Sequence, residues 1–412
     1  MVSKLLNRFE DGFTIGSIIL YSGGIVILLL SGGQQEYETV DFDSSPIRLA
    51  FFVSYAIALT FLVLRWRTTL AALKQNYWIL PLIIASAISI LWSFEKSATL
   101  KDSFTMVGSS LFGLYFGCRY SLRRQLEILG WALGIMIVLS FVFAIGLPKY
   151  GIMGGIHHGK WRGIFNHKNG LGQSMVYATL IFLFLAYQNQ KYKFLMWIGL
   201  SLSIILLFLS ASTSSMFNLL ILVCIFFALH TFRFPYLVMI PVMVSIAIIG
   251  EFLYFLSIDL AGTIFTSVGK EATLTGRTDL WPLVIDAIWK QPIFGYGFGG
   301  FWHGLNGVGS AAIWRATGWT PSHPHNGYLQ LLLDLGLFGV CLFSYGLIFT
   351  LIKALKLLRA TKTIETLWPV VHIAQLLVTS STESQLFVSN NIGWILYVAA
   401  AFSLRTIALK ES

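Results

Sequence analysis

Apolar positions in this chain fall in long continuous blocks, separated by short polar or glycine-rich joints. A block of about 20 apolar residues is long enough to cross a bilayer as a helix. Twelve such blocks can be drawn: 12–30, 47–64, 77–93, 100–118, 126–146, 167–187, 194–210, 216–232, 235–257, 327–352, 365–381 and 390–408. The fourth, eighth and eleventh are the weakest. An outer-membrane barrel would alternate apolar and polar residues instead. The pattern therefore predicts an all-α, polytopic integral membrane protein of about 12 transmembrane helices, forming a single membrane domain over residues 1–412. The first block lacks a convincing small-x-small cleavage site and is read as a span that is kept.

Composition agrees. Of 412 residues, 56% are hydrophobic and 11% charged, whereas a soluble domain carries about 25% charged residues. A net charge of +10 would suggest nucleic acid as the partner of a soluble protein. Here the charges lie between apolar blocks, so they report on topology instead. With the N-terminus and its Lys4 and Arg8 placed in the cytoplasm, cytoplasmic joints receive Arg65, Arg67, Lys74, Arg119, Arg123, Arg124, Lys191, Lys193, Arg233, Lys353, Lys356, Arg359 and Lys362. The C-terminus adds Arg405 and Lys410, while the first outer joint is acidic, with Glu36, Glu38, Asp41 and Asp43. Cys118, Cys224 and Cys341 show no disulfide or metal-knuckle spacing.

The cations that break this rule are the informative ones. Lys149, Lys160, Arg162 and Lys168 surround the fifth-to-sixth joint, and Lys270, Arg277, Lys290 and Arg315 fall in the ninth-to-tenth. Six of the eight histidines share these two joints: His157, His158, His167, His303, His323 and His325. One reading is that long solvated loops tolerate cations. The other is an electropositive outward cleft for a phosphate-bearing ligand, served by imidazole.

The joint from Ile258 to Pro324 is the one large extramembrane element, inserted between the ninth and tenth spans. It holds Trp281, Trp289, Trp302, Trp314 and Trp319. Leu280, Val284 and Ile288 at helical spacing predict an amphipathic helix over 277–290, lying on the outer membrane face and ended by Gln291-Pro292. Gly295, Gly297, Gly299 and Gly300 then predict a turn that admits close backbone approach. Their resemblance to a dinucleotide fingerprint is superficial, because no strand precedes them.

In His323-Pro324-His325-Asn326, His325 stands at a membrane entry as a candidate general base, with His323 as second choice and Asn326 as the cap of the next helix. An interfacial histidine pair is the plainer alternative. A zinc site is disfavoured by the i, i+2 spacing and by the lack of a nearby Cys or carboxylate cluster, so neither metal nor cofactor is expected. Arg277 has the fork that suits phosphate, next to a helix N-terminus; a snorkelling interfacial arginine is its alternative. Arg162 and Lys168 are further anion-binding candidates. Glu251, Asp334 and Glu383 are carboxylates in or near spans, all toward the outer side, and Glu383 is placed to orient an imidazole or meet hydroxyl groups.

Several of these runs together resemble the O-antigen ligase and polymerase superfamily. They are Thr275-Gly276-Arg277-Thr278-Asp279-Leu280-Trp281, Pro292-Ile293-Phe294-Gly295-Tyr296-Gly297 and His323-Pro324-His325-Asn326-Gly327-Tyr328-Leu329-Gln330. The run Gly163-Ile164-Phe165-Asn166-His167-Lys168-Asn169-Gly170-Leu171-Gly172 is similar to its exopolysaccharide-polymerase branch. The resemblance implies a GT-C-like membrane glycosyltransferase of the bacterial inner membrane, with its large loop and active site facing the periplasm. Such an enzyme moves a glycan from an undecaprenyl-diphosphate carrier to a glycan or lipid acceptor, without nucleotide or metal. By position, His325 matches the essential loop histidine and Arg277 a loop arginine that meets the diphosphate. Arg162, Lys168, His323, Glu383 and Trp281 are the expected substrate contacts, and Trp161, Trp302 and Trp319 are further candidates for stacking on sugars. One departure stands out: where ligases often carry an arginine, Ser210-Ala211-Ser212-Thr213-Ser214-Ser215-Met216 has no cation. This favours the polymerase branch, with Arg162 or Lys168 supplying the charge. Ligation to a lipid A-core acceptor and, more distantly, transport of a lipid-linked glycan are the other readings. A chain-length regulator or export proteins are further expected partners, and nucleic acid is not.

Overall fold

The computed structural model describes residues 2–24, 45–188, 191–232, 235–267, 277–303, 309–361 and 363–404. The acidic outer joint at Glu36–Asp43 lies outside the described residues, as do Arg233, Lys270, Lys362, Arg405, Lys410 and the Arg277 side chain. Among the described residues every regular element is helical, so the all-α polytopic architecture holds. The helices of eight residues or more are α1 (Val2–Tyr21), α2 (Ser45–Leu64), α3 (Trp66–Gln75), α4 (Leu80–Ile88), α5 (Lys96–Arg119), α6 (Leu122–Gly146), α7 (Lys168–Gln188), α8 (Lys193–Ser210), α9 (Thr213–Phe232), α10 (Tyr236–Ser267), α11 (Arg277–Lys290), α12 (Ser310–Thr317), α13 (Gly327–Ala360), α14 (Trp368–Thr382) and α15 (Ile392–Ser403).

Each of the twelve predicted blocks overlaps a helix. Among the described residues, seven helical stretches are long and apolar enough to cross a membrane: α2, α6, α7, α8, α9, α13 and Val238–Leu256 of α10. The eighth block, read as weak, is among them as α9. The fourth, α5, is not, because Lys96, Lys101, Asp102 and several serines interrupt it. It belongs to the protein interior instead. Gly113 and Gly117 lie one turn apart, and a Cβ on Gly117 would come within 2.5 Å of the Ala399 carbonyl. Without those Cβ atoms α5 can pack directly on the α15 backbone. The third block is divided between α4 and single 3-10 turns on either side.

A helix that is apolar all round belongs either in lipid or at the centre of a bundle. Here α7 is the central one: Leu171, Met175, Ala178, Leu180, Ile181, Phe184 and Ala186 are fully buried. α8, α6 and α9 pack along it, and the buried Trp368 of α14 meets its Phe184 edge-on at 5.8 Å. α2, α8 and α10 are peripheral, and their apolar faces are largely open to lipid.

One end of the bundle is fixed by charge. The buried Glu10 carboxylate accepts from Arg65 Nη2 and Arg119 Nε, both at 2.5 Å, and Arg124 Nη2 meets Asp11 at 2.6 Å. The N-terminal segment and two joints that the charge pattern assigned to one side therefore share that side.

At the other end lies the long joint. α10 continues to Ser267, past the expected loop start at Ile258. α11 forms over 277–290 as predicted, but its apolar stripe is not spread on the membrane. Leu280, Val284 and Ile288 are buried against Tyr296, Phe301, Ile313 and Leu333. The period foretold the apolar face but not what covers it, and here the cover is the glycine turn, α12 and α13.

α13 is broken. Gly336 (φ 61°, ψ −159°) interrupts its helical backbone, and the glycine turn is threaded into the gap. Tyr296 N donates to Leu333 O (2.8 Å) and Gly297 N to Asp334 O (3.0 Å), while Leu337 N and Phe338 N donate to Pro292 O and Ile293 O (2.9 and 3.0 Å). A helix break orphans donors and acceptors that must be met when buried; the turn meets them with its own main chain. The buried Asp334 carboxylate accepts from Gly299 N and Gln330 Nε2 at 3.2 and 3.0 Å, a structural use of one of the three carboxylates singled out above.

Candidate active site

The histidine loop enters α13 from its N-terminal side. Asn326 caps the helix as expected: its Oδ1 accepts from Tyr328 N and Leu329 N at 3.0 and 3.1 Å. The cap is tied to the end of α14, because Asn326 N donates to Ser384 Oγ and its Nδ2 to Ser381 O. From above, Trp281 Nε1 donates to Pro324 O at 2.9 Å. The loop is thus held between α11 and the α14 terminus.

Within this clamp His325 adopts φ +51°, a conformation uncommon for a residue with a Cβ and costing about 1–3 kcal/mol. The ring is nearly buried, and its Nδ1 lies 3.4 Å from Glu383 Oε2. Glu383 sits just past α14, where the backbone turns extended. Its other oxygen accepts from Asn169 Nδ2 at 3.3 Å. Asn169 Oδ1 in turn accepts from Ser212 Oγ (3.2 Å) and Lys168 Nζ (3.3 Å). Side chains from the starts of α7 and α13, the end of α14 and the α8–α9 joint therefore form one polar network.

The two histidines are not equivalent. His325 N donates to His323 Nδ1 at 3.2 Å. An Nδ1 that accepts leaves the proton of a neutral ring on Nε2, and this contact fixes the turn. The rings lie 4.2 Å apart, and Trp319 stands 6.4 Å from His325. His167 repeats the pattern, accepting Asn169 N at its Nδ1 (3.2 Å).

Lys168 lies beside the segment that carries no cation. Its Nζ donates to Ala211 O at 3.2 Å, which puts an ammonium on the Ser210–Ser215 segment that has none of its own. Arg162 is placed otherwise. It is buried, with Nε on Tyr150 O (2.8 Å), Nη1 on Asn166 O (3.3 Å) and Nη2 on Lys149 O (3.4 Å). Its guanidinium is turned into the carbonyls of its own loop. Arg277 opens α11, one turn before Trp281. Trp281 rests edge-on against Phe255 (6.0 Å), and Trp302 Nε1 donates to Gln330 (3.0 Å). Burial raises the Tyr296 hydroxyl above its ordinary pKa, so it stays a donor, to Ala287 O at 2.9 Å. Among the described residues no three His, Cys, Asp or Glu side chains converge as metal ligands.

Asn169 and Ser212 were not singled out by type or spacing, although both lie in quoted runs. The available signal was that Asn169 follows His167 and Lys168 at a helix start, where a short amide meets other elements.

Residues 198–344 match the family described as O-antigen ligase. That stretch contains Arg277, Trp281, His323 and His325, but not Lys168, Asn169 or Glu383. Over 97 residues the chain is 31% identical to the exopolysaccharide production protein ExoQ of Rhizobium meliloti (strain 1021). The likeness covers 23% of this chain and 22% of that relative, so the chain spans about a fifth of the relative's length in that match. With the motifs in the expected order on a polytopic helical bundle, these matches show a partial likeness to the O-antigen ligase/polymerase superfamily.

Proposed function

We propose that the chain is a multi-pass glycosyltransferase that polymerises undecaprenyl-diphosphate-linked oligosaccharide units at the periplasmic face of the inner membrane, with inversion and without a metal. The observation that carries this reading is the His325–Glu383 pair inside the network of Asn169, Ser212 and Lys168. Glu383 accepts the Nδ1 proton and orients the ring, which leaves the Nε2 lone pair of His325 to take the proton of the acceptor hydroxyl. The oxygen then attacks the anomeric carbon as its bond to the diphosphate breaks. Diphosphate is a stable leaving anion, so the remaining task is to hold it and neutralise charge. Arg277 and Lys168 serve that role, and Trp281 holds the histidine loop in register. Arg162 shapes the loop before α7 rather than meeting substrate. The lack of a cation in Ser210–Met216 supports polymerisation over ligation, and the likeness to a protein of exopolysaccharide production supports a polysaccharide product. The site lies at helix ends, and the break in α13 is filled by the protein's own turn, which supports transfer over transport, where an open break near the midplane is the usual site.

The test is incubation of the purified protein with a lipid-linked repeat unit. A ladder of longer lipid-linked glycans that persists in EDTA is expected. No ladder, or one that needs a divalent ion, would overturn the reading.

A further inference from the structure

Behind the Asn169–Glu383 wall the bundle holds a cavity of about 240 Å³, lined by α7, α9, α14, the start of α15 and the end of α1. Its lining is rich in side-chain amides. Gln173, Asn218, Gln375, Gln385 and Asn391 contribute amides, Tyr177 a phenol and His167 an imidazole, while no lysine, arginine or carboxylate is in the wall. Gln375 is 1% exposed, and its Oε1 has no hydrogen-bond partner among the described residues.

We infer that this cavity seats one uncharged pyranose ring of the glycan. Amides offer donor and acceptor side by side, which matches neighbouring hydroxyls that each give and take a hydrogen bond. Tyr177, Tyr21 and Phe165 add ring surface to the same wall. The volume lies below the roughly 300–1,000 Å³ of sites for drug-sized ligands, so it holds a single ring rather than an oligosaccharide. A carboxylated sugar would meet there only the His167 imidazole, whose Nδ1 accepts Asn169 N as in the neutral ring, so its charge would be buried without a counter-charge, which is costly. The cavity shares its wall with the active site: Ser215 bonds Ser212 at 2.9 Å, Ser212 bonds Asn169, and Gln385 donates to Gln173 at 3.1 Å two residues after Glu383. The inference rests on the transfer reading for its biological meaning, but binding can be measured without turnover.

The experiment is saturation-transfer NMR on the protein in phosphatidylcholine nanodiscs, free of glycoside detergent. The probes are the methyl pyranosides of glucose, galactose and mannose, with methyl glucuronide as the charged control. Binding of at least one neutral glycoside is expected, with none of the glucuronide. Gln375→Leu is expected to weaken binding about three- to tenfold, the range of one net hydrogen bond. Gln385→Ala, at the half-buried rim, gives a second reading that does not disturb the interior. A cavity that holds water only gives no saturation transfer and overturns the inference; so does equal binding by the parent and by folded Gln375→Leu, or equal binding of the glucuronide. Ladder formation without glycoside binding sinks the cavity alone, and glycoside binding without a ladder sinks the transfer reading alone.

Discussion

Two loops converge on α13, and they are built by opposite means. The glycine turn at 291–300 works through main chain: four backbone hydrogen bonds stitch it to either side of Gly336, and Gly295, Gly297 and Gly299 take positive φ, where the absence of Cβ makes the conformation inexpensive. The histidine loop at 323–326 works through side chains, and it places a positive φ on His325, where a Cβ makes it costly. The first loop looks like a ligand motif and closes a gap in the architecture. The second is short, and it keeps an imidazole in a conformation that glycine would take more easily. The contrast teaches where the fold is being completed and where strain is retained around a single imidazole.

The contrast breaks most readily at Gly336. A Cβ there would fall 2.4 Å from the Ile293 carbonyl oxygen, and the φ of +61° is itself unfavourable for L side chains. Gly336→Val is expected to abolish folded protein, a loss of more than about 4 kcal/mol, read as the disappearance of the monodisperse peak in fluorescence-detected size exclusion. A normal peak would mean that the glycine turn does not hold α13 together.

A sharper test separates strain from chemistry at a single position. His325→Ala and His325→Gly should each lose turnover by roughly 10²–10⁴-fold, the contribution of a positioned general base. They should differ in stability, with the glycine variant more stable than the alanine variant by about 1 kcal/mol, because only glycine takes the left-handed conformation freely. Thermal denaturation in matched nanodiscs reads the difference. Equal stability would show that the loop relaxes when the imidazole is removed, and near-normal turnover in either variant would remove His325 from the chemistry.

The helices were legible because apolar continuity is a local property: α6 through α9 and α13 follow their predicted blocks closely at the start. The period of Leu280, Val284 and Ile288 likewise gave α11 its ends and its apolar face. Its cover was not legible, since Ile313 and Leu333 lie elsewhere in the chain. The site divides the same way. His323, His325 and Asn326 are neighbours in sequence and could be read together. Asn169, Ser212 and Glu383 reach the same network from three other segments, and only tertiary structure brings them there. Arg162 and Lys168 looked alike as loop cations, yet one is turned into the carbonyls of its own loop and the other sits on the Ser210–Ser215 segment.

The smallest expected effect lies at His323, and it decides which histidine the loop serves. His323 Nδ1 accepts the backbone N–H of His325 at 3.2 Å, so its removal leaves that donor to water and loosens the turn that sets the strained φ. The net loss of one hydrogen bond is about 0.5–1.5 kcal/mol, which corresponds to a two- to tenfold fall in turnover for His323→Ala. If the role is acceptance alone, His323→Asn should recover most of the loss, because a side-chain carbonyl oxygen at that position can accept the same N–H. A proton-transfer role would leave the asparagine variant as inactive as the alanine one, since an amide does not titrate in the working range. Single-turnover rates on the lipid-linked substrate, measured on variants with matched thermal stability, distinguish these outcomes. An inactive His323→Ala beside an active His325→Ala would reverse the assignment: the residue that accepts from the turn would then be the base, and the strained residue its support.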